Sequence, residues 1–308
     1  MANDRRSTRK AALDVIGAHL ATPPEVDDLV RAMRTQTERY AMGQAGRGLH
    51  ACREIDVVIG AVPARWFVPP GAGEGRRHVH LHGGGWTAGS IASHRAMLAE
   101  LALAMAAPVL APAYRLAPEH PFPAAFDDAF AALAFAQAHG PLGDAAPARV
   151  TLSGDSAGGN LAAAVALRCI AEKAQAPERL ALISPFLALK LGGSSFAAPV
   201  QDIIVMQEGI DLVGTLYAPH TAPRDPRVEP LYAERTDLAR MCPVLIQASA
   251  VESLRDQAFA FANALWAAGA EARLSLWPDV PHVWHVFLET LPDASAAIGE
   301  VAAFLTAP

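Results

Sequence analysis

The sequence predicts an α/β fold, in which helices cover both faces of a mostly parallel sheet. From His78 onward, short apolar runs typical of buried strands alternate with longer segments that have helical periodicity. Hydrophobic residues make up 52% of the 308-residue chain and charged residues only 18%, which excludes an intrinsically disordered protein. A chain of this length can bury a large core, as one large domain or two smaller ones.

Residues 1–50 come before the alternating region and are predicted to be helical. Apolar residues recur there at helical spacing, for example Val15-Ile16 and Leu20, and no strand pattern occurs. We therefore expect this segment to be a lid or cap rather than part of the core. Two extended runs follow, Arg53 to Val62 and Ala64 to Val68, and Pro63 is predicted to separate them.

The alternating region predicts further strands and helices in a regular order. The predicted strands are the apolar runs 78–81, 108–112, 149–153, 180–185, 243–248 and 273–277. The predicted helices are 97–105, 123–137, 161–172, 257–268 and 295–305. The stretch 187–217 interrupts this rhythm, so we expect it to be an inserted cap element.

Charge, cysteine content and hydropathy exclude several classes of protein. The formal net charge of −6 argues against a broad phosphate-binding surface, and therefore against a nucleic-acid partner. The three cysteines, Cys52, Cys169 and Cys242, form neither a disulfide framework nor metal-ligand spacing. No apolar run approaches the length of a membrane span, and no apolar signal core follows Met1. These features predict a cytoplasmic protein without stable membrane association.

A nucleophile is predicted at Ser156, in the sequence Gly154-Asp-Ser-Ala-Gly158. This G-x-S-x-G pattern follows a predicted strand and opens a predicted helix, which is the context of a nucleophile elbow. The flanking glycines allow the strand and the helix to approach closely. Because the serine precedes a helix N-terminus, backbone N–H groups there can face a developing anion. A plain glycine-rich turn is the alternative interpretation.

A second motif, His82-Gly-Gly-Gly-Trp86, follows the strand at 78–81 and predicts an oxyanion hole. Three consecutive glycines leave their backbone N–H groups accessible to a tetrahedral oxyanion. The predicted donors are the N–H groups of Gly83, Gly84 and Ala157. A phosphate-binding loop is the alternative, but neither G-x-G-x-x-G nor G-K-[ST] occurs.

A serine nucleophile needs a base, and the chain order Ser, acid, His restricts the candidates to the histidines after Ser156. His282 is favoured because it lies in a loop just past the strand that ends at Trp277, where the carboxyl ends of strands form a site. His285 is the second candidate, and His220 is predicted to lie at the surface.

Glu252 is predicted to orient the base, because it is the first carboxylate after the strand at 243–248. Asp256 remains the alternative, although its position predicts the first turn of the following helix. Asp279 is too close to His282 in sequence to come from a separate strand end, although a loop still allows its approach.

Together these motifs resemble the hormone-sensitive-lipase family of α/β-hydrolases, bacterial carboxylesterases in particular. The resemblance runs from about His78 to Phe287 and includes Y-R-L-A-P-E-H-P-F-P-A-A at 114–125 and P-H-V-W-H at 281–285. It implies a mostly parallel eight-stranded sheet with a helical cap, and the same roles for Ser156, His282 and the oxyanion donors. Glu252 departs from the aspartate that many members have.

The resemblance also implies a domain organisation. A cap of residues 1–50 and an insertion at about 187–218 would cover a catalytic domain of residues 51–308. An exposed edge at the last strand would allow a homodimer. The residues then expected to contact substrate are Trp86, Asp155, Met206, Ile210 and Leu216, with core packing as the alternative for the aliphatic ones.

The predicted activity is hydrolysis of short- to medium-chain carboxylic esters through an acyl-enzyme. It requires no metal and no organic cofactor, and its partner is a small-molecule ester. One alternative is an amide hydrolase or deacetylase with the same three residues. Another is a non-catalytic protein that binds a small hydrophobic ligand on the same fold.

Overall fold

The computed structural model describes residues 14, 29–41, 46–73, 75–141, 143, 149–190 and 207–308. Within these ranges eight strands form one sheet: β1 (Arg53–Ile59), β2 (Val62–Val68), β3 (Arg76–Leu81), β4 (Val109–Pro112), β5 (Arg149–Asp155), β6 (Leu180–Ile183), β7 (Val244–Ser249) and β8 (Ala272–Trp277). Their order is β1-β2-β4-β3-β5-β6-β7-β8. β2 pairs antiparallel with β1 and β4, whereas every other pair is parallel. The predicted mostly parallel sheet is confirmed.

Helices cover both faces of this sheet. They are α1 (Leu29–Ala41), α2 (Arg47–Ala51), α3 (Arg95–Met105), α4 (Ala124–Ala138), α5 (Ala157–Glu172), α6 (Gln207–Tyr217), α7 (Arg235–Leu238), α8 (Arg255–Ala268) and α9 (Pro292–Thr306). One apolar cluster joins the sheet to α4, α5 and α8, and the other joins it to α3 and α9. Along β6, Leu180 and Leu182 belong to the first cluster, and Ala181 and Ile183 to the second, as alternation along a strand requires.

The first hairpin differs from its predicted form. The chain turns at Gly60, whose φ of +61° is a conformation that glycine adopts without strain. Pro63 was predicted to break the two extended runs, but it lies inside β2, opposite Val58. Its carbonyl accepts a hydrogen bond from Ala113 N–H at 2.8 Å. The reason is that proline removes only a donor, so its carbonyl still takes part in the ladder.

The segment before β1 reaches the body of the protein through α1. Arg34 donates to the carbonyl oxygens of Thr87 and Ala117 at 2.8 and 3.0 Å, and it forms an ion pair with Glu119. This ion pair, with its hydrogen bonds, lowers the pKa of Glu119 to about 2. The remainder of the predicted cap segments, residues 1–13, 15–28, 42–45 and 191–206, lies outside the described residues.

The last strand, β8, lies at one edge of the sheet, as predicted. The side chain of Leu276, on this strand, is exposed. No helix among the described residues is both long enough and apolar enough to cross a membrane.

Candidate active site

Ser156 lies on a sharp turn between β5 and α5. Its φ of 53° and ψ of −118° are strained for a residue with a side chain. The turn is close because glycines flank it: a Cβ at Gly154 would overlap the Gly158 carbonyl, and a Cβ at Gly158 would overlap the Leu81 carbonyl. This sharp turn presents the serine hydroxyl to the cavity at the N-terminus of α5.

Three side chains from distant parts of the chain meet at this turn. His282 Nε2 lies 2.9 Å from Ser156 Oγ, and His282 Nδ1 lies 2.6 Å from Glu252 Oε2. Since an ionised carboxylate only accepts hydrogen bonds, Nδ1 carries the proton and Nε2 is free to accept the serine proton. Glu252 is itself fixed, because its Oε1 accepts a hydrogen bond from Ser249 N–H at 2.9 Å.

The loop that carries His282 is held from two sides. The Ser249 hydroxyl at the end of β7 donates to the Val280 carbonyl, and Val283 N–H donates to Ser184 Oγ at 3.3 Å. His282 is buried, with 4% of its side chain exposed. The imidazole is therefore oriented before any substrate binds.

The other candidates occupy different surroundings. The His285 ring is fully buried and hydrogen-bonds Gln247 at 2.7 Å, and burial lowers its pKa to about 3. Asp256 lies in the first turn of α8, as predicted, where it pairs with Arg255. His220 and Asp279 are exposed. The hydrogen bonds thus link Ser156 to His282 and Glu252.

The glycine loop after β3 lies beside Ser156. A Cβ on Gly83 would overlap the Asp155 carboxylate and would lie 3.1 Å from Ser156 Cβ. Gly84 has φ +117°, which strains any other residue. The loop is held by the Tyr114 hydroxyl, which donates to the His82 carbonyl at 2.6 Å. Gly83 and Gly84 line the same cavity as Ser156, and Ala157 follows the serine at the start of α5.

A methyl group on Gly83 is expected to damage catalysis more than stability. In Gly83→Ala the new Cβ must displace the Asp155 carboxylate or shift the loop, which misplaces an oxyanion donor. Loss of one such donor costs about 2.7–4 kcal/mol, so we expect kcat to fall roughly 10²- to 10³-fold. The matched control is Gly73→Ala, at an exposed position with open space around it, which should leave kcat unchanged. Equal kcat values for the two variants would contradict the donor assignment.

A cavity of about 190 Å³ opens at Ser156. One wall is formed by Met33, Gln36 and Thr37 of α1, and another by Ile210 and Val213 of α6. Phe186 and Phe287 also line the cavity, together with His282 and the glycine loop. The lining is mainly apolar, with polar groups near the nucleophile, as is usual for a small-molecule site.

The predicted substrate-contacting residues differ in their positions. Ile210 and Asp155 line the cavity, but Trp86 and Leu216 are not part of the lining that the described residues form. The expected contact of Trp86 with substrate is not seen among the described residues: its indole is fully buried and stacks on Tyr217 with ring centroids 4.4 Å apart, so it packs in the core. Leu216 is half-buried. Met206 lies outside the described residues.

Sequence reasoning missed the contribution of α1 and of the segment before α3. Met33, Gln36 and Thr37 lie at i, i+3 and i+4 on one helix face, a spacing that could have indicated a shared surface. Ser93 and His94 also line the cavity, but no motif marks them.

A buried cluster of polar groups lies behind the nucleophile. Asp155 accepts hydrogen bonds from His80 Nε2 at 3.1 Å and from His94 Nε2 at 3.3 Å. Burial lowers the pKa of His80, whereas the pKa of His94 is raised: burial opposes its charge, but Asp155 and hydrogen bonds favour it. Although burial alone would raise the pKa of Asp155, the two histidines hold it below its usual range. In the described part of the chain, no three His, Cys, Asp or Glu side chains are placed to hold a metal ion.

Comparisons with known proteins agree with this geometry. Residues 78–286 match a sequence family described as an alpha/beta hydrolase fold. The chain is 37% identical to an acetyl-hydrolase of Streptomyces hygroscopicus over 81% of each chain. It is 34% identical to the carboxylic ester hydrolase LipN of Mycobacterium tuberculosis, over 83% of this chain and 70% of that protein. Among solved structures, an esterase from the bacterial hormone-sensitive lipase family superposes with a TM-score of 0.88, at 33% identity over 97% of each chain.

Proposed function

Because the chain belongs to the hormone-sensitive-lipase family of α/β-hydrolases and is a carboxylic ester hydrolase, we propose that it hydrolyses small esters through an acyl-enzyme on Ser156. The observation that carries this proposal is the pair of hydrogen bonds made by His282, at 2.9 Å to Ser156 and 2.6 Å to Glu252. A hydroxyl, a base and an orienting carboxylate in this order are the minimum machinery for serine nucleophilic catalysis.

In the first half of the reaction, Ser156 Oγ attacks the ester carbonyl carbon while its proton moves to His282 Nε2. The negative oxygen of the tetrahedral intermediate accepts hydrogen bonds from the N–H groups of Gly83, Gly84 and Ala157. Glu252 stabilises the imidazolium that forms, without taking its proton. His282 then gives the proton to the leaving alcohol as the C–O bond breaks.

In the second half, water replaces the alcohol. His282 takes a proton from water as its oxygen attacks the acyl carbon, and the same N–H groups bind the second oxyanion. Collapse of this intermediate releases the acid and returns the proton to Ser156. Apart from the ester and water, the groups that act in these steps are side chains and backbone N–H groups of the chain.

The size of the cavity supports a preference for short acyl chains. Ligand sites for drug-sized molecules occupy about 300–1,000 Å³, and this cavity has about 190 Å³. One relative is named an acetyl-hydrolase, which is consistent with a small acyl group. We propose that acetyl to butyryl esters are the best substrates.

A chain-length series tests this proposal. We expect kcat/KM for para-nitrophenyl esters to be highest for acetate to butyrate and to fall at least tenfold by octanoate, because longer chains must leave the cavity. The measurement is initial rates for each ester below its KM. A maximum at octanoate or beyond would contradict the proposed substrate size. Faster cleavage of the matched anilides than of the esters would instead indicate an amide hydrolase.

We propose that residues 1–50 and 187–218 form a cap over the catalytic domain of residues 51–308, because α1 and α6 supply two walls of the cavity. A homodimer through the exposed edge of β8 stays a prediction, supported by the position of β8 and by exposed Leu276. The cytoplasmic location stays a prediction from the sequence alone.

A further inference from the structure

We infer that His94 is a buried imidazolium whose positive charge holds and neutralises Asp155 behind the oxyanion loop, and that full esterase activity requires its proton. This inference rests on the proposed function, since it assigns His94 as a positioning residue for the same site. It concerns a residue that takes no part in the three-residue hydrogen-bonded chain of Ser156, His282 and Glu252.

The hydrogen-bond partners of His94 determine its charge. Nε2 faces Asp155 Oδ2 at 3.3 Å, and an ionised carboxylate can only accept. Nδ1 lies 2.9 Å from Ser93 Oγ, and the backbone of Ser90 also bonds the ring in a way that favours its charged form. Because the Ser93 hydroxyl donates its own proton to the Ser90 carbonyl at 3.0 Å, its oxygen is an acceptor toward Nδ1. Both ring nitrogens therefore donate, which only an imidazolium can do.

His80 contacts the same Asp155 carboxylate as His94, but its hydrogen bonds allow it to remain neutral. Its Nε2 donates to Asp155 Oδ1, while its Nδ1 lies 2.7 Å from Ser153 Oγ, a hydroxyl able to donate. One donor and one acceptor suffice for the neutral ring. Burial also lowers the pKa of His80. The cluster thus holds one cation and one anion, His94 and Asp155.

The position of Asp155 explains why this charge matters for catalysis. The carboxylate packs directly against Gly83, next to Ser156, and only 2% of its side chain is exposed. An uncompensated negative charge there would repel the oxyanion, and in a poorly solvated site such repulsion is strong. The proton on His94 removes that repulsion and keeps the carboxylate in the place that a glycine at position 83 leaves open.

Several groups surround His94, and their balance favours the proton. Glu38 on α1 adds a second favourable charge, and the ring itself is 6% exposed. His82, with ring centroids 5.6 Å apart, is kept neutral because burial lowers its pKa to about 3. His94 lies at the N-terminus of α3, whose dipole opposes a cation. The Asp155 carboxylate, in direct contact, is the nearest full charge.

The expected consequence is a loss of activity at alkaline pH. When His94 deprotonates, the charge of Asp155 becomes uncompensated, so kcat should fall as pH rises through the pKa of His94, which lies above the ordinary imidazole value of about 6.5. Protonation of His282 has the opposite pH dependence. This base must be neutral to accept the serine proton, so kcat falls when the pH is lowered and His282 gains a proton. A plot of kcat against pH for the wild-type protein should therefore fall on both sides of an optimum, with an acid limb from His282 and an alkaline limb from His94.

The test compares kcat and KM for para-nitrophenyl acetate between pH 5 and 9 in the wild-type protein, His94→Gln and the exposed control His220→Gln. Glutamine can donate one hydrogen bond to Asp155 but carries no charge. We expect His94→Gln to lose the alkaline limb, to keep the acid limb and to lower kcat at least tenfold at neutral pH with little change in KM. His220→Gln should match the wild-type protein.

Two further measurements test the protonation of His94 directly. Ser93→Ala removes one of the groups that hold the proton on Nδ1, so it should move the alkaline limb to lower pH, an effect that a purely structural role would not produce. Nitrogen NMR of histidine-labelled protein at pH 7.5 should show one imidazole with both nitrogens protonated, absent in His94→Gln. An alkaline limb that persists in His94→Gln, or a neutral His94 ring, would overturn the inference. Absence of esterase activity in the wild-type protein would instead overturn the proposed function, and the NMR result does not depend on it.

Discussion

Replacing Ser156 by alanine is expected to lower kcat for para-nitrophenyl acetate by about 10⁵-fold or more, because no other group can form the acyl-enzyme. Residual hydrolysis should remain above that in water alone, since the glycine-loop N–H groups can still bind an oxyanion. The fold should persist, because the substitution removes only the Oγ atom, whose described hydrogen bond is to His282. The measurements are initial rates and a thermal unfolding curve.

The matched control is Ser295→Ala, at an exposed position on α9, which should leave kcat unchanged. A fluorophosphonate probe provides an independent readout, because it reacts with an activated serine and should label the wild-type protein at Ser156 only. Retention of a tenth or more of the wild-type kcat in Ser156→Ala would refute the nucleophile assignment. A folded wild-type protein that the probe does not label would indicate a binding protein instead.

The sequence and the structure bring the same three residues together, because each motif is local and lies at the end of a predicted strand. Ser156 needs a strand, a tight turn and a helix in direct succession, and all three leave a readable pattern. His282 follows from chain order and from its place after β8. Parallel strands bring their carboxyl ends to one edge, so residues at those ends meet even when they are far apart in sequence.

The start of the helix after the nucleophile was less predictable, because glycines occupy its first turn. The helix after the nucleophile was expected from Leu161, but α5 begins at Ala157. Gly158 and Gly159 have low helix propensity, so they hide the first turn from any pattern of apolar residues. Close packing against β3 requires a glycine at 158 regardless of that propensity, because a Cβ there would overlap the Leu81 carbonyl.

The cavity wall was predicted least well, because lining depends on side-chain direction. The contact of Trp86 with substrate was expected from the resemblance alone, whereas burial of its indole and stacking on Tyr217 place that side chain in the core. The residues of α1 that line the cavity lie on a helix that Arg34 fixes to the body of the protein. Such contacts between distant segments leave no trace in local sequence.

The buried histidine cluster likewise depends on strand register. His78 and His80 alternate along β3, and β5 presents Thr151 and Ser153 directly opposite them. Because residues i and i+2 face the same side, these four polar side chains form one row that ends at Asp155. The sequence contains both halves of this row, but only the pairing of β3 with β5 joins them behind the nucleophile.

Glu252→Gln is expected to lower kcat by about 10⁴-fold, as the acid-to-amide change does in the serine protease triad. The carboxylate accepts two hydrogen bonds, from His282 Nδ1 and from Ser249 N–H. A glutamine has one carbonyl oxygen and one NH₂ group, so it cannot satisfy both donors. If the carbonyl keeps Ser249, the NH₂ group faces Nδ1 and favours the tautomer protonated at Nε2, which cannot accept the serine proton. If the carbonyl turns to Nδ1, the NH₂ group opposes a backbone N–H, and the charge that stabilises the imidazolium is lost in either case.

Asp256→Asn is the matched control, because it makes the same change in the other carboxylate that the sequence left open. Asp256 pairs with Arg255 in the first turn of α8 and is 23% exposed, so its loss should cost no more than a surface ion pair, about 1 kcal/mol or less of stability. We expect its kcat to stay within about threefold of the wild-type value, since it leaves the Glu252–His282 hydrogen bond intact. Rates for both variants at pH 8, where an ordinary imidazole is neutral, separate orientation from protonation of His282. The reverse ranking, with Asp256→Asn the more damaging change, would transfer the orienting role from Glu252 to Asp256.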